Sequence, residues 1–154
     1  MEAWASLRLY RHDTKRLFKL DWIYRNMYTD IRMEGELKPV RWMGTSLRDL
    51  RSFPREVRID IGHALFTAQE GKTDPAAKPL KGFGGASVLE IVSSHLGNAW
   101  RGVYTVRFHD AIYVLHVFQK KSTKGIATPT REIDLIRRRL VEAEQDYKER
   151  QGLK

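Results

Sequence analysis

The chain has 154 residues, 42% hydrophobic and 10% aromatic, enough for one compact domain with a real core and too few for two. A formal net charge of +9 favours a polyanionic partner, although many small basic domains carry such a charge without using it. The lack of cysteine excludes disulfide staples, thiolate zinc sites and cysteine nucleophiles, so a reducing cytosol is no obstacle.

Residues 1–32 mix Trp4, Tyr10, Phe18, Trp22, Tyr24 and Tyr28 with seven basic and four acidic residues and show no strand alternation. Two readings stand for this extension. It is an aromatic and basic arm that touches RNA or a partner protein, or it is translated from an upstream start, because Met33 opens the regular part of the chain. The first twenty residues lack the apolar core and cleavage site of a secretion signal. No apolar run approaches membrane-spanning length either, so a cytoplasmic protein without a membrane partner is expected.

Residues 33–154 read as one domain. Leu37 to Met43 forms a short first strand, placed at an edge by Pro39. Ser46 with Asp49 three residues later signals a helix cap; that short helix runs to Phe53, and Pro54 opens the next. Arg55 to Gln69 sets Val57, Ile61, Ala64, Leu65 and Ala68 on one stripe, and Gly71 stops it. The loop KTDPAAKPLKGFGGAS follows. Its glycine-rich end could cradle phosphate through main-chain amides but lacks P-loop spacing, so Gly82, Gly84 and Gly85 read as turn residues.

Three runs rich in β-branched and aromatic residues come next, Ser87 to Ser93, Ala99 to Phe108 and Ala111 to Gln119. They are broken at Leu96-Gly97-Asn98 and at His109-Asp110, which predicts a three-stranded antiparallel meander. From Lys78 to Lys124 there are seven basic residues (Lys78, Lys81, Arg101, Arg107, Lys120, Lys121, Lys124) against Glu90 and Asp110, a net +5. The third strand therefore delivers a cationic edge, which is the expected working surface. The chain closes with an amphipathic helix opened by Pro129 and capped by Thr128 or Thr130. Ile133, Ile136, Leu140, Ala143 and Tyr147 line one side, and Arg137 and Arg138 belong to a solvated charged face; the alternative, that the Arg137-Arg138-Arg139 triplet binds nucleic acid, is opposed by the different directions these three take on a helix.

The expected fold class is thus α+β: an N-terminal edge strand and two helices, then the meander and a C-terminal helix. Trp100-Arg101-Gly102-Val103-Tyr104, close to a YRxxY segment, and His116 to Lys124, which reads HxFxKKxxK, resemble the RelE/ParE toxin superfamily in its phage-related, HigB-like branch. The resemblance covers roughly Leu37 to Leu140.

That resemblance implies a type II toxin held by a cognate antitoxin, commonly of helix-turn-helix type. It also implies cleavage of mRNA on the ribosome by attack of a ribose 2′-oxygen on the adjacent phosphate, chemistry that needs no metal or cofactor. Such a reaction needs a base, an acid, and cations for the charge developing on phosphoryl oxygens. By resemblance Arg101 clamps the scissile phosphate, and Lys120 and Lys121 stabilise the transition state. His116 is either an acid or base or a half-buried strand residue, and Glu90 is either a base or the partner that orients Arg101. Lys78, Lys81, Arg107 and Lys124 are candidates for binding RNA.

Strand alternation sets Arg101 with Val103 and Thr105 on one face, and His116 in phase with Ile112, Val114 and Phe118. A joint site requires Arg101 and His116 to share a face. Substituting Arg101 or Lys121, read as surface residues, should abolish toxicity at a stability cost within about 0.5 kcal/mol. Other superfamily members act on DNA gyrase, so two alternatives accompany the nuclease: a toxin with a protein target, and an inactive prophage-derived binding module.

Overall fold

The computed structural model describes residues 37–120 and 128–153, all within the unit Arg32–Lys154. The expectations for residues 1–32, for a start at Met33, and for Lys121 and Lys124 lie outside the described residues. In chain order the elements are β1 (Val40–Trp42), α1 (Ser46–Arg51), α2 (Arg55–Gln69), β2 (Ala77–Pro79), β3 (Val88–His95), β4 (Asn98–Thr105), β5 (Ile112–Lys120) and α3 (Thr130–Arg150). The five strands form one mixed sheet in the order β1-β5-β4-β3-β2, so the class is α+β.

The sheet is larger than a meander plus an edge strand. Ala77–Pro79, read above as loop, pairs antiparallel with β3, Lys78 opposite Glu90. Ala-Lys-Pro has no strand propensity of its own; the pairing comes from the neighbouring ladder, and Pro79 is tolerated because β2 is an edge. At the other edge β1 runs parallel to β5, Val40 opposite Ile112. β3 and β4 meet across a two-residue turn at Leu96-Gly97, and Leu96 itself takes a left-handed conformation, φ 49°.

Helix starts also differ from expectation. The α1 cap position is Thr45, whose hydroxyl donates to Asp49 Oδ2 at 2.6 Å, while Ser46 donates to the Val114 carbonyl at 3.3 Å. Pro129 stands at the α3 cap without a side-chain cap, and neither threonine caps the helix.

The helices lie on different sides of the sheet. Gly102 of β4 faces α2, where a Cβ would come 3.1 Å from Ile61, and the Phe53 ring sits 4.6 Å from that of Trp100. On the other face Ile136, Leu140 and Ala143 of α3 close a core with Val103, Tyr113, Leu115 and Phe118. Burial of these side chains, at about 25 cal/mol per Å² of apolar surface, is what docks α3 onto the sheet.

Candidate functional site

The register collects the candidate residues. Glu90 pairs across from Val103, Val103 from His116, Val92 from Arg101, Arg101 from Phe118, and Ala99 from Lys120. Directly opposed residues share a face, so Glu90, Arg101, His116 and Lys120 all stand on the side covered by α3, and Lys78 joins them through Glu90.

The phase of His116 departs from simple alternation. Val103 pairs with His116 but Tyr104 pairs with Val114, which leaves Leu115 as an extra residue on β5. This bulge turns Val114 to the opposite face from His116, against the expectation that they align. It also admits both Leu115 and His116 to the α3 side.

Arg101 is buried, its side chain 8% exposed, and its Nη1 donates to Glu90 Oε1 at 2.6 Å and to Thr128 Oγ1 at 3.2 Å. Thr128 in turn donates to the same Glu90 oxygen at 3.2 Å. The reading of Arg101 as a surface residue of negligible stability cost is therefore corrected: its charge is desolvated and its partner carboxylate is nearly so. The contact holds the Arg101 side chain against the Glu90 carboxylate.

His116 lies at the centre of a second network. Arg139 has only donors, so its Nη1, 3.1 Å from His116 Nδ1, makes that nitrogen the acceptor. The proton then sits on Nε2, which donates to Glu132 Oε2 at 2.7 Å. Burial holds the imidazole below its ordinary pKa of 6.5 against the opposing pull of Glu132, so it is neutral at pH 7. Arg139 also donates to the Leu115 carbonyl at 2.9 Å and to Thr45 Oγ1 at 3.1 Å, and Thr45 passes the contact on to Asp49. The guanidinium fits because residue 44 is glycine: a Cβ there would stand 2.7 Å from Arg139 Nη2. Both ring nitrogens of His116 are therefore engaged within the protein, and the side chain is buried.

The cations are distributed unevenly. Lys120, 8% exposed, is engaged at the end of β5, and Lys78 and Lys81 are exposed beside the sheet. Arg107 lies two residues past the end of β4, which itself runs four residues or roughly 13 Å beyond Arg101, and pairs with Glu144 of α3. Register and partner separate it from the others. Sequence reasoning missed Thr128, Glu132 and Arg139. Arg139 alone left a signal, because it falls between Ile136, Leu140 and Ala143 on the buried stripe.

A family of phage-derived Gp49-like proteins (DUF891) matches residues 48–141, which takes in α1 to most of α3 and every described candidate residue. No curated protein and no solved structure matches the chain. Among the described residues, no helix is long and apolar enough to cross a membrane.

Proposed function

Because this chain belongs to the phage-derived Gp49-like family, a family of RelE/Gp49-type toxins, we propose that it is the toxin of a type II toxin–antitoxin pair of HigB-like kind that cuts mRNA on the ribosome. The observation that carries the nuclease reading is the convergence of Glu90, Arg101, His116 and Lys120 on one face of the sheet. In this reading Arg101, oriented by Glu90, clamps the scissile phosphate. Lys120, with Lys121 and Lys124 beyond it, offsets charge on the phosphoryl oxygens. The 2′-oxygen bonds to the adjacent phosphorus as the 5′-oxygen leaves; a base takes the 2′-hydroxyl proton and an acid protonates the leaving oxygen. His116 enters that exchange only after Glu132 or Arg139 releases a ring nitrogen. An antitoxin of helix-turn-helix type, complementary to the cationic edge, is the expected cytoplasmic partner.

One observation favours a second reading. Arg101 and His116 are both buried and both hydrogen-bonded within the protein, an arrangement compatible with a toxin that inhibits a protein target such as gyrase without cutting RNA. The test is induction in bacterial cells of the whole chain and its Arg101→Lys form, with mRNA 5′-ends mapped. Arrest with new ends inside translated codons, lost in Arg101→Lys at equal soluble protein, supports the nuclease. Arrest without new ends supports a protein target. Soluble protein without arrest supports an inactive binding module.

A further inference from the structure

The β2–β3 connection forms a small cationic corner that the chemistry above does not use. Lys81 is exposed there, and Arg137 of α3 reaches it, its guanidinium carbon 5.7 Å from the centre of the Phe83 ring. A Cβ on Gly82 would lie 3.5 Å from Arg137 Nη2, so the guanidinium stands beside the turn with room for about a methyl group between them. Gly82, Gly84 and Gly85 all have positive φ, and among the described residues, chain neighbours aside, no atom comes within 4 Å of where a Cβ would stand on Gly84 or Gly85. Lys81 and Gly82 form the middle of a turn that engages the Phe83 N–H, whereas among the described residues no hydrogen bond is seen from the main-chain N–H of Gly82, Gly84, Gly85 or Ala86.

Bare backbone, available N–H donors and a guanidinium held in place by an aromatic ring are what a phosphate group needs at close range. The competing carboxylate is weak: Asp134 lies 3.5 Å from Arg137, with both side chains more than half exposed.

We propose that the turn Lys81–Gly85 together with Arg137 binds a backbone phosphate of single-stranded RNA, at a point away from the cleavage site. The proposal rests on the reading of the chain as an RNA-cutting toxin and names where a second phosphate of that substrate sits. Val88, next to the turn, pairs with Thr105, four residues or about 13 Å of strand from Arg101, too far for the same phosphate. Lys78, opposite Glu90, lies between the two points along the strand direction, so Lys81 and the exposed Lys78 on edge strand β2 lead from the turn toward the level of Arg101.

The probe is a fluorescent 2′-O-methyl oligoribonucleotide, which cannot be cut by 2′-oxygen attack, titrated with the full chain over a range of salt. Lys81→Glu and Arg137→Ala should each weaken binding about three- to tenfold and flatten the salt dependence by about one unit of slope per lost phosphate contact. Arg137→Lys should keep the salt slope while losing part of the affinity, because the ammonium keeps the charge without the fork. Lys81 is a surface residue, so its variant reports even if Arg137→Ala disturbs Phe83.

Wild-type binding and slope in both Lys81→Glu and Arg137→Ala overturn the site; if Arg101→Lys still abolishes cleavage in cells, the nuclease reading survives that failure. Weakened binding in both variants, with no cut mRNA from the wild type, sustains the site and removes the nuclease reading instead.

Discussion

Arg139 donates to His116 Nδ1 at 3.1 Å, so a guanidinium on α3 rather than a carboxylate fixes the tautomer of the buried imidazole on β5. The charged groups facing His116 are Arg139 and Glu132, with Asp49 acting at longer range, and burial outweighs the two carboxylates.

This arrangement makes stability depend on pH. In the unfolded chain His116 takes up a proton near pH 6.5, whereas in the folded protein it does so only at lower pH. Between those two values the unfolded state binds more protons, so stability rises with pH there and is fully present above about pH 6.5. Thermal melts should lose stability as pH falls from about 6.5, by at most about 1.4 kcal/mol per pH unit. His116→Gln should be flatter over that range. Equal slopes in the two proteins would contradict the assignment.

Glu90 and Arg101 should behave as a buried pair. Glu90→Ala takes the ionic partner from a buried guanidinium and Arg101→Ala takes it from a buried carboxylate, each costing about 3–5 kcal/mol in denaturant unfolding. The double substitution Glu90→Ala with Arg101→Ala should cost well under the sum of the singles. Additive losses would mean that the pair does not interact.

Gly44→Ala should destabilise by roughly 1–3 kcal/mol, because φ is +53° and the new methyl meets Arg139. In an Arg139→Met background the steric part disappears and only the backbone strain is left. A cost unchanged by that background would put the whole effect in the backbone.

Arg107→Ala should leave both toxicity and RNA affinity near wild type, since Arg107 pairs with Glu144 on the surface and stands past the end of β4, away from Arg101. A toxicity loss as deep as that of Arg101→Lys would place Arg107 back in the site.

Hydrophobic period and turn chemistry made most of the elements legible. The apolar stripe of α2 and the strand-forming runs around Leu96-Gly97 announced themselves, because burial imposes a period of 3.6 or 2 on the residues that face the core. β2 could not be read, since its pairing is supplied by β3 rather than by Ala77, Lys78 and Pro79. The phase of His116 was lost to the extra residue Leu115, because a bulge is a property of two strands together and leaves no mark in one. Residues of the site were visible as types: Arg101, His116, Lys120 and Glu90 do converge. The neutral state of His116 and the burial of Arg101 were not, because they depend on Glu132 and Arg139 of α3 and on Thr128 just before it.

The most direct measurement of the central claim is the chemistry of the RNA ends left after induction. Attack by a ribose 2′-oxygen leaves a 2′,3′-cyclic phosphate upstream and a 5′-hydroxyl downstream, within translated codons, in cells carrying the wild-type chain and not its Arg101→Lys form. Arrested cells whose mRNA shows no such ends, or ends bearing 5′-phosphates, would contradict the account.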